Sequence, residues 1–204
     1  MKVLLVDDHA IVRDGLKRLL ATAIAADIFE AADGREALAI LRRETVDLVV
    51  LDLNLPGLGG IELLKRVVQA SPARVLIFSM HAEPLYVTRA LDAGAAGYIS
   101  KNIAPDELLT AVQRVAGGGR YVEQEIAQQL ALGSGATDQG LGQLTARELE
   151  IMRLLGQGRS VAEIAAVLGL GYKTVANTLS LMKIKLGVAR TADLVRLAVA
   201  TGVS

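Results

Sequence analysis

The first 116 residues alternate short apolar runs with longer amphipathic stretches, and this alternation limits the fold more than any other feature of the chain. The runs at 48–51 and 75–78 contain no polar residue, which is typical of strands that are buried on both faces of a parallel sheet. Five repeats of a strand followed by a helix predict a doubly wound α/β domain, with a five-stranded parallel sheet between two layers of helices. The predicted strands lie at 2–6, 28–31, 48–51, 75–78 and 97–100, and the predicted helices at 10–23, 35–43, 60–70, 84–93 and 105–116.

Two glycine-rich segments divide the rest of the chain. Three consecutive glycines occupy 117–119, and residues 133–140 are all small or polar, a composition typical of a flexible connector. From Leu144 onward the apolar residues recur with the helical period. We therefore predict an α/β domain at 1–118, a linker with a candidate short helix at 119–142, and a small four-helix domain at 143–204.

The composition excludes several kinds of site. The chain has no cysteine, which excludes disulfides, thiolate zinc sites and thiol nucleophiles. The N-terminal apolar run is too short for a signal peptide, and charges interrupt every other long apolar stretch. We therefore expect a cytoplasmic protein without a membrane partner. The net charge is zero, but residues 141–204 carry 8 Lys and Arg against 4 Asp and Glu, an excess that fits a polyanion partner as well as ordinary scatter.

Polar side chains follow four of the predicted strands, at the point where each strand ends. Asp7 and Asp8 follow the first strand, Asp52 the third, Ser79 the fourth and Lys101 the fifth. In open α/β sheets, ligands bind at the carboxyl ends of the strands. We therefore expect these side chains to meet at one edge of the sheet and to form a site there.

Three neighbouring carboxylates need positive charge around them. Two unit charges 4 Å apart repel by about 4 kcal/mol at an effective dielectric constant of about 20. Lys101 supplies one positive charge, and Mg²⁺ is the natural complement for the rest, because it prefers oxygen ligands and commonly joins carboxylates to a phosphate. A carboxylate in such a site can act as the nucleophile and form an aspartyl-phosphate, whose oxygens Ser79 and Lys101 would hold.

The same segments resemble the receiver domains of two-component response regulators over residues 2–116. The matching motifs occur in order and are V-D-D, L-D-L-N-L-P-G-L-G-G around Asp52, I-F-S-M at Ser79 and G-Y-I-S-K at Lys101. The resemblance implies that Asp52 accepts a phosphoryl group from a histidine kinase. It also implies Mg²⁺ bound by Asp8, Asp52 and the Asn54 backbone carbonyl, with Asp7 reaching the metal through water.

The resemblance further implies a switch pair. Ser79 would turn toward the phosphate while Tyr98 rotates inward. Many receivers place a proline after the lysine and form a cis peptide bond there, whereas Asn102 follows Lys101 in this chain. A cis bond without proline costs about 2.5–4 kcal/mol, so the conformation of the Lys101–Asn102 bond stays open.

The helical domain reads as a helix-turn-helix. Thr145 and Ser160 each precede a glutamate by three residues, the pattern of a capping box, and glycines separate the predicted helices. The third of these, near 172–186, has an apolar stripe formed by Val175, Leu179, Met182 and Leu186. Polar and small side chains project from its other side, where asparagine can pair with adenine and lysine with phosphate. These candidates for DNA contact are Lys173, Thr174, Ala176, Asn177, Ser180 and Lys183.

This domain resembles the DNA-binding domain of LuxR-type regulators. The matching stretches are L-T-A-R-E-L-E-I, S-V-A-E-I-A-A-V-L-G-L, K-T-V and K-L-G-V, and the pairing with a receiver is similar to the NarL/FixJ response regulators. The resemblance implies binding to double-stranded DNA, with the last helix helping to dimerise. We expect phosphorylation either to release this domain or to promote a homodimer, which would fit an inverted repeat. Ala176 and Thr178 depart from the basic residue and the histidine that are frequent in the family. Leu181 and Ile184 fit neither face of the helix, and contact with a neighbouring helix is the only account of them.

The favoured function is therefore that of a transcription regulator controlled by phosphorylation, not an enzyme. One alternative is a phosphohydrolase that uses Asp52 as its nucleophile, but hydrolases of that kind carry a general acid two residues later, where this chain has Asn54. The other alternative is a protein-interaction module in which the helical domain no longer binds DNA. The atypical Ala176 and Thr178 leave that alternative open.

Overall fold

The computed structural model of the chain describes residues 1–55, 60–80, 82, 84–133, 144–201 and 203. These residues form two compact units, Met1–Ala131 and Leu132–Ser204. The flexible connector predicted at 133–140 lies outside the described residues from residue 134 onward.

The first unit contains one parallel sheet of six strands in the order β2-β1-β3-β4-β5-β6. Its strands are β1 (Lys2–Val6), β2 (Asp27–Ala31), β3 (Leu48–Leu51), β4 (Arg74–Ser79), β5 (Gly97–Ser100) and β6 (Tyr121–Val122). Its helices are α1 (Ala10–Ile24), α2 (Gly34–Leu41), α3 (Gly60–Ala70), α4 (Pro84–Asp92), α5 (Pro105–Ala116) and α6 (Gln124–Gly133), the last of which continues two residues beyond Ala131. The predicted α/β class is confirmed, and the five predicted strands and five predicted helices lie within two residues of their observed bounds.

The prediction of five strands was wrong, because the sheet has a sixth strand, β6, which depends on its pairing with β5. Two residues are too short to show a periodic pattern, and they become a strand only by pairing with β5 at Gly97 and Tyr98. A side chain at position 97 would not fit, because its Cβ would lie 2.7 Å from the carbonyl oxygen of Tyr121. Part of the segment predicted as a linker therefore belongs to the sheet.

Alternate residues of the strands enter two buried clusters on opposite faces of the sheet. In β1, Leu4 and Val6 belong to one cluster, and Val3 and Leu5 to the other. The first cluster includes side chains of α2, α3 and α4, and the second includes side chains of α1 and α5. This period of two, with helices on both faces, leaves the carboxyl edge of the sheet as the place where the polar strand ends meet.

The second unit is helical over its described residues. It contains α7 (Ala146–Gly156), α8 (Val161–Val167), α9 (Tyr172–Leu186) and α10 (Thr191–Ala200). Complete capping boxes begin α7 at Thr145 and α8 at Ser160. The axes of α8 and α9 are bent by 112° across a short break, in which Gly169 adopts a left-handed φ of +62° that favours glycine. This is the geometry of a helix-turn-helix.

No single helix among the described residues has the length and apolar character needed to cross a membrane. The bent pair of α8 and α9 passes the same test, by length and composition only.

Candidate functional site

Three strands bring a lysine between two buried aspartates. Asp7 follows β1, Asp52 follows β3 and Lys101 follows β5. The Lys101 Nζ donates a hydrogen bond to Oδ2 of Asp7 and another to Oδ2 of Asp52, each at 2.7 Å. Asp7 and Asp52 are 2% and 1% exposed. Backbone hydrogen bonds from Asp52 to Val6 and from Lys101 to Ser79 continue the strand pairing up to the site, which fixes where these side chains start.

The remaining oxygens of the two aspartates accept other hydrogen bonds. Oδ1 of Asp52 accepts from the backbone N–H of Asn54 at 3.0 Å. Oδ1 of Asp7 accepts from the backbone N–H of His9 at 2.8 Å. Both carboxylates are therefore held in one orientation by a lysine on one side and a backbone amide on the other.

His9 lies beside the carboxylates, although the sequence pattern predicted no catalytic role for it. It is the exposed residue that precedes α1, and its Nδ1 lies 3.1 Å from Oδ1 of Asp7 and 3.0 Å from Oδ1 of Asp8. The signal in the sequence is its place directly after the aspartate pair at the end of a strand. A residue at that place faces the same edge of the sheet.

The pKa of Asp52 and the pKa of Lys101 are both raised, for different reasons. Burial raises the pKa of the Asp52 carboxyl, although the hydrogen bonds from Lys101 and Asn54 lower it part of the way back. Burial lowers the pKa of the Lys101 ammonium, but its hydrogen bonds to Asp52 and Asp7 together outweigh burial and leave the pKa above its usual value. Lys101 is thus held as a cation, whereas the charge on Asp52 is only partly compensated.

The donor set fits a hard divalent cation. One ligand atom from each of Asp7, Asp8, His9 and Asp52 lies within 4.8 Å of all the others. Three of these four groups are carboxylates, and Lys101 is the cation paired with two of them. The side chain of Asp8 is 34% exposed, so the cluster opens to water on one side. Oxygen donors with access to water are the environment that Mg²⁺ prefers.

Ser79 and Tyr98 are both fully buried. Ser79 ends β4 next to the carboxyl end of β3, and its carbonyl oxygen accepts the Lys101 backbone N–H at 2.8 Å. Tyr98 lies in β5 within the same buried cluster as Val87 of α4 and Ile126 of α6. Its side chain thus occupies an inward position. The Lys101–Asn102 peptide bond is trans.

Glu123 is a further buried acid near the site, and the sequence pattern did not single it out. Its Oε2 accepts the Ser100 backbone N–H at 2.6 Å, and its Oε1 accepts the Ser100 hydroxyl at 3.2 Å. Glu123 is 8% exposed and stands between β6 and α6, directly beside the residue that precedes Lys101. Only the pairing of β6 with β5 brings it there, so local sequence held no signal for it.

In the second unit, α9 separates an apolar side from a solvent-exposed side. Val175, Leu179 and Met182 of the predicted stripe are buried, and its fourth member, Leu186, is half-buried. Ala176 and Lys183 are half-buried. We call the four exposed members of the predicted set the reading face of α9: Lys173, Thr174, Asn177 and Ser180.

A partly buried ion pair ties α9 to the start of α7. The Lys185 Nζ lies 2.8 and 2.7 Å from the two carboxylate oxygens of Glu148, which also accepts the Thr145 backbone N–H at 2.6 Å. Burial raises the pKa of Glu148, but the hydrogen bonds from Lys185 and Thr145 outweigh it and leave the pKa below its usual value. This pair fixes the C-terminal half of α9 relative to α7.

Leu181 and Ile184 are exposed, at 55% and 78%. The sequence suggested that a neighbouring helix covers them. Within the described part of this unit, no helix does so. Thr178 and Ser180 donate their hydroxyl hydrogens to the α9 backbone, to the carbonyl oxygens of Thr174 and Ala176.

Two family models match the chain, one for each unit. A model described as response regulator receiver domain matches residues 3–113. A model described as bacterial regulatory proteins, luxR family, matches residues 142–198.

Relatives and solved structures match nearly the whole length. The transcriptional activator protein ExaE of Pseudomonas putida is 43% identical over 99% of this chain and 97% of its own. The transcriptional regulatory protein UhpA of Escherichia coli is 42% identical over 95% of each. The structure of RcsB from Salmonella enterica serovar Typhimurium, bound to promoter rprA in the presence of phosphomimetic BeF3−, is 25% identical with a TM-score of 0.62 over 98% of each chain.

Proposed function

The chain belongs to the two-component response regulators of the NarL/FixJ type, which join a receiver domain to a LuxR-type DNA-binding domain, and from this premise we propose that phosphorylation of Asp52 by a histidine kinase controls its binding to DNA. The observation that carries the proposal is the double hydrogen bond of Lys101 to Asp7 and Asp52, both buried. It gathers the groups that a phosphoryl transfer needs around one carboxylate.

Asp52 is the acceptor because of its place in the sheet. It follows β3, which is flanked by β1 with the other two aspartates and by β4 with Ser79. A phosphoryl group on Asp52 would therefore lie between the carboxylates of Asp7 and Asp8 on one side and the hydroxyl of Ser79 on the other. A carboxylate oxygen of Asp52 forms the bond to phosphorus, the P–N bond of a phosphohistidine breaks, and its electron pair stays on the imidazole nitrogen, which takes up a proton.

Asp8, Asp52 and the Asn54 backbone carbonyl would hold Mg²⁺, with Asp7 reaching it through a water molecule. When bound, the metal would neutralise charge on the carboxylates and on an incoming phosphoryl group. Lys101 holds Asp52 in place and offers its ammonium to the phosphoryl oxygens. We propose that the chemistry at this site is limited to phosphorylation and dephosphorylation of Asp52 itself, because the amide of Asn54 cannot serve as a general acid for other substrates.

Ser79 and Tyr98 would carry the change away from Asp52. The Ser79 hydroxyl would hydrogen-bond to the phosphoryl group, and the inward position of Tyr98 would go with that state. Tyr98 shares its buried cluster with residues of α4 and α6, so its position affects how both helices pack. A change at α4 or α6 is the means by which phosphate would favour a homodimer.

We propose that α9 enters the major groove of double-stranded DNA. Lys173, Thr174, Asn177 and Ser180 would face the DNA directly, with Ala176 and Lys183 at the edge of the contact. A homodimer would place two such helices about 34–36 Å apart, which fits an inverted repeat. RcsB, in the matched structure, is bound to a promoter. A kinase and a promoter as partners both imply a cytoplasmic location.

The test measures DNA binding with and without acetyl phosphate and Mg²⁺, for the wild type and for Asp52→Asn. A duplex enriched by the wild type from random sequence serves as the probe. We expect the phosphodonor to increase the affinity of the wild type and to leave that of Asp52→Asn unchanged. Asp27→Asn is the matched control, since Asp27 is an exposed aspartate at the opposite edge of the sheet. Equal affinity of all three proteins in all conditions would contradict phosphorylation control.

A further inference from the structure

Two large apolar side chains lie on the solvent side of α9 among polar residues. Leu181 and Ile184 are 55% and 78% exposed, whereas Val175, Leu179 and Met182 on the same helix are buried. Leaving a side chain of this size exposed loses about 1.5–3 kcal/mol of the stabilisation that its full burial would give. The capped ends of the neighbouring helices and the Glu148–Lys185 pair fix α9 in its domain, so the exposure follows from the fold.

The helical spacing places both side chains on the same side of α9 as Asn177, about 6 Å (Leu181) and about 10 Å (Ile184) further along the helix axis. At about 100° per residue, Leu181 (four residues on) lies about 40° from Asn177 around the helix axis, and Ile184 (seven residues on) about 20° on its other side. Lys173 and Ser180 lie within about 60° of Asn177. The apolar pair is therefore continuous with the reading face and lies opposite the buried stripe.

The major groove offers apolar partners of one kind to such a pair. Among the groups that base pairs present there, the C5-methyl of thymine is the apolar one. Lys173 lies on the same face and favours a polyanion over an apolar protein surface. We propose that Leu181 and Ile184 contact thymine methyl groups to one side of the base read by Asn177, and so help to determine the DNA sequence that is bound. This rests on the proposed function, in which α9 enters the major groove.

The proposal gives the half-site a definite chemistry. Asparagine pairs bidentately with the N6 and N7 atoms of adenine, so the step read by Asn177 and its apolar neighbours is an adenine followed or preceded by thymines. Neither apolar side chain can pair with a phosphate. Less of the binding then depends on phosphate contacts and more on base identity.

The test uses uracil, which lacks the C5-methyl group and otherwise keeps the pairing of thymine. The full-length protein, with acetyl phosphate and Mg²⁺, first enriches duplexes from a random pool. Each thymine of the enriched half-site is then replaced by uracil in turn, and affinity is measured by fluorescence anisotropy. We expect one or two replacements to weaken wild-type binding by about fourfold each, the effect of losing one buried methyl group. Leu181→Ala and Ile184→Ala should weaken binding to the thymine duplex and lose this discrimination at the corresponding thymine.

Val167→Ala is the matched control, because Val167 is an apolar residue of α8 with 58% exposure and should leave both the affinity and the discrimination unchanged. Wild-type binding that is indifferent to every uracil replacement would overturn the inference while leaving DNA binding intact. Loss of self-association in Leu181→Ala and Ile184→Ala, with unchanged DNA affinity, would assign the pair to a protein contact and overturn it as well. Failure of the wild type to enrich any sequence would overturn the proposed function together with the inference.

Discussion

The carboxylate cluster and the reading face of α9 are built on opposite principles. Asp7, Asp52 and Lys101 come from three strands, are nearly buried, and are held by hydrogen bonds to each other. The reading face comes from one helix and is exposed, and in the proposed function it faces a partner outside the molecule. Groups that constrain one another cannot change singly without a cost in stability, whereas groups that face a partner can. Substitutions should therefore affect folding most at the cluster and least at α9, and the following experiments test that gradient.

Lys101→Met should cause the largest loss of stability. It leaves Asp7 and Asp52 buried without their cation, and breaking a buried pair in this way costs about 3–5 kcal/mol. We expect about 3 kcal/mol, because the cluster opens to water at Asp8. Urea unfolding in the presence of EDTA measures this loss, and added Mg²⁺ should restore part of it.

Lys65→Met is the control for that experiment, since Lys65 is an exposed residue of α3. Equal free energies of unfolding for Lys101→Met and Lys65→Met would mean that the cluster does not depend on its lysine. The contrast with α9 would then lose its basis.

Glu148→Gln should destabilise the second unit by about 2 kcal/mol, because it removes charged hydrogen bonds to Lys185 and Thr145. The pKa of Glu148 is lowered in the folded state, so the unfolded state binds the proton more readily. The stabilisation is complete above the ordinary glutamate pKa of about 4.3 and is lost as the pH falls through the lower folded value. Thermal unfolding from pH 3 to pH 7 should show the wild type approaching Glu148→Gln at the acid end.

Glu163→Gln supplies the comparison for Glu148→Gln, because Glu163 closes the equivalent capping box of α8 at the surface. Its effect on unfolding should be smaller than that of Glu148→Gln. A wild type and a Glu148→Gln variant that differ by the same amount at pH 3 and pH 7 would refute the role of the ionised pair.

Glu123→Gln should cost about 1 kcal/mol, since one of the two acceptor oxygens that hold Ser100 is replaced by an amide donor. Because Ser100 precedes Lys101, we also expect slower phosphorylation of Asp52 by acetyl phosphate. Phosphate-affinity electrophoresis measures this rate. Glu125→Gln changes an exposed glutamate two residues away and should alter neither quantity. If both variants behave alike, Glu123 has no part in positioning Lys101.

The same contrast explains what the sequence predicted and what it did not. The four strand ends that supply the site could be predicted because short apolar runs mark the buried parallel strands, and the polar residues that follow them converge by topology. The sixth strand and Glu123 were missed because Tyr121 and Val122 form a strand only through their pairing with Gly97 and Tyr98. The exposure of Leu181 and Ile184 was missed because periodicity identifies the buried side of a helix and carries no information about what covers the other side.

Asn177→Ala should leave stability almost unchanged, within about 0.5 kcal/mol, as surface substitutions usually do. Its effect should appear in binding, because losing a bidentate contact to a base reduces discrimination about 5- to 150-fold. Thermal unfolding and anisotropy on the enriched duplex measure the two quantities in one preparation. A stability loss comparable to that of Lys101→Met would remove the distinction between the two regions.

Ala176→Lys should have the smallest effect on folding and a defined effect on electrostatics. The side chain at 176 is half-buried at the edge of the reading face, and a lysine stem can extend from there to a phosphate. Each added phosphate contact makes the slope of log K against log salt more negative by about 0.9, while the base preference set by Asn177 stays the same. Ala192→Lys adds the same charge at an exposed position on α10 and should change the slope less. If the two lysines steepen the slope equally, binding responds to net charge alone, and position 176 does not face the DNA backbone.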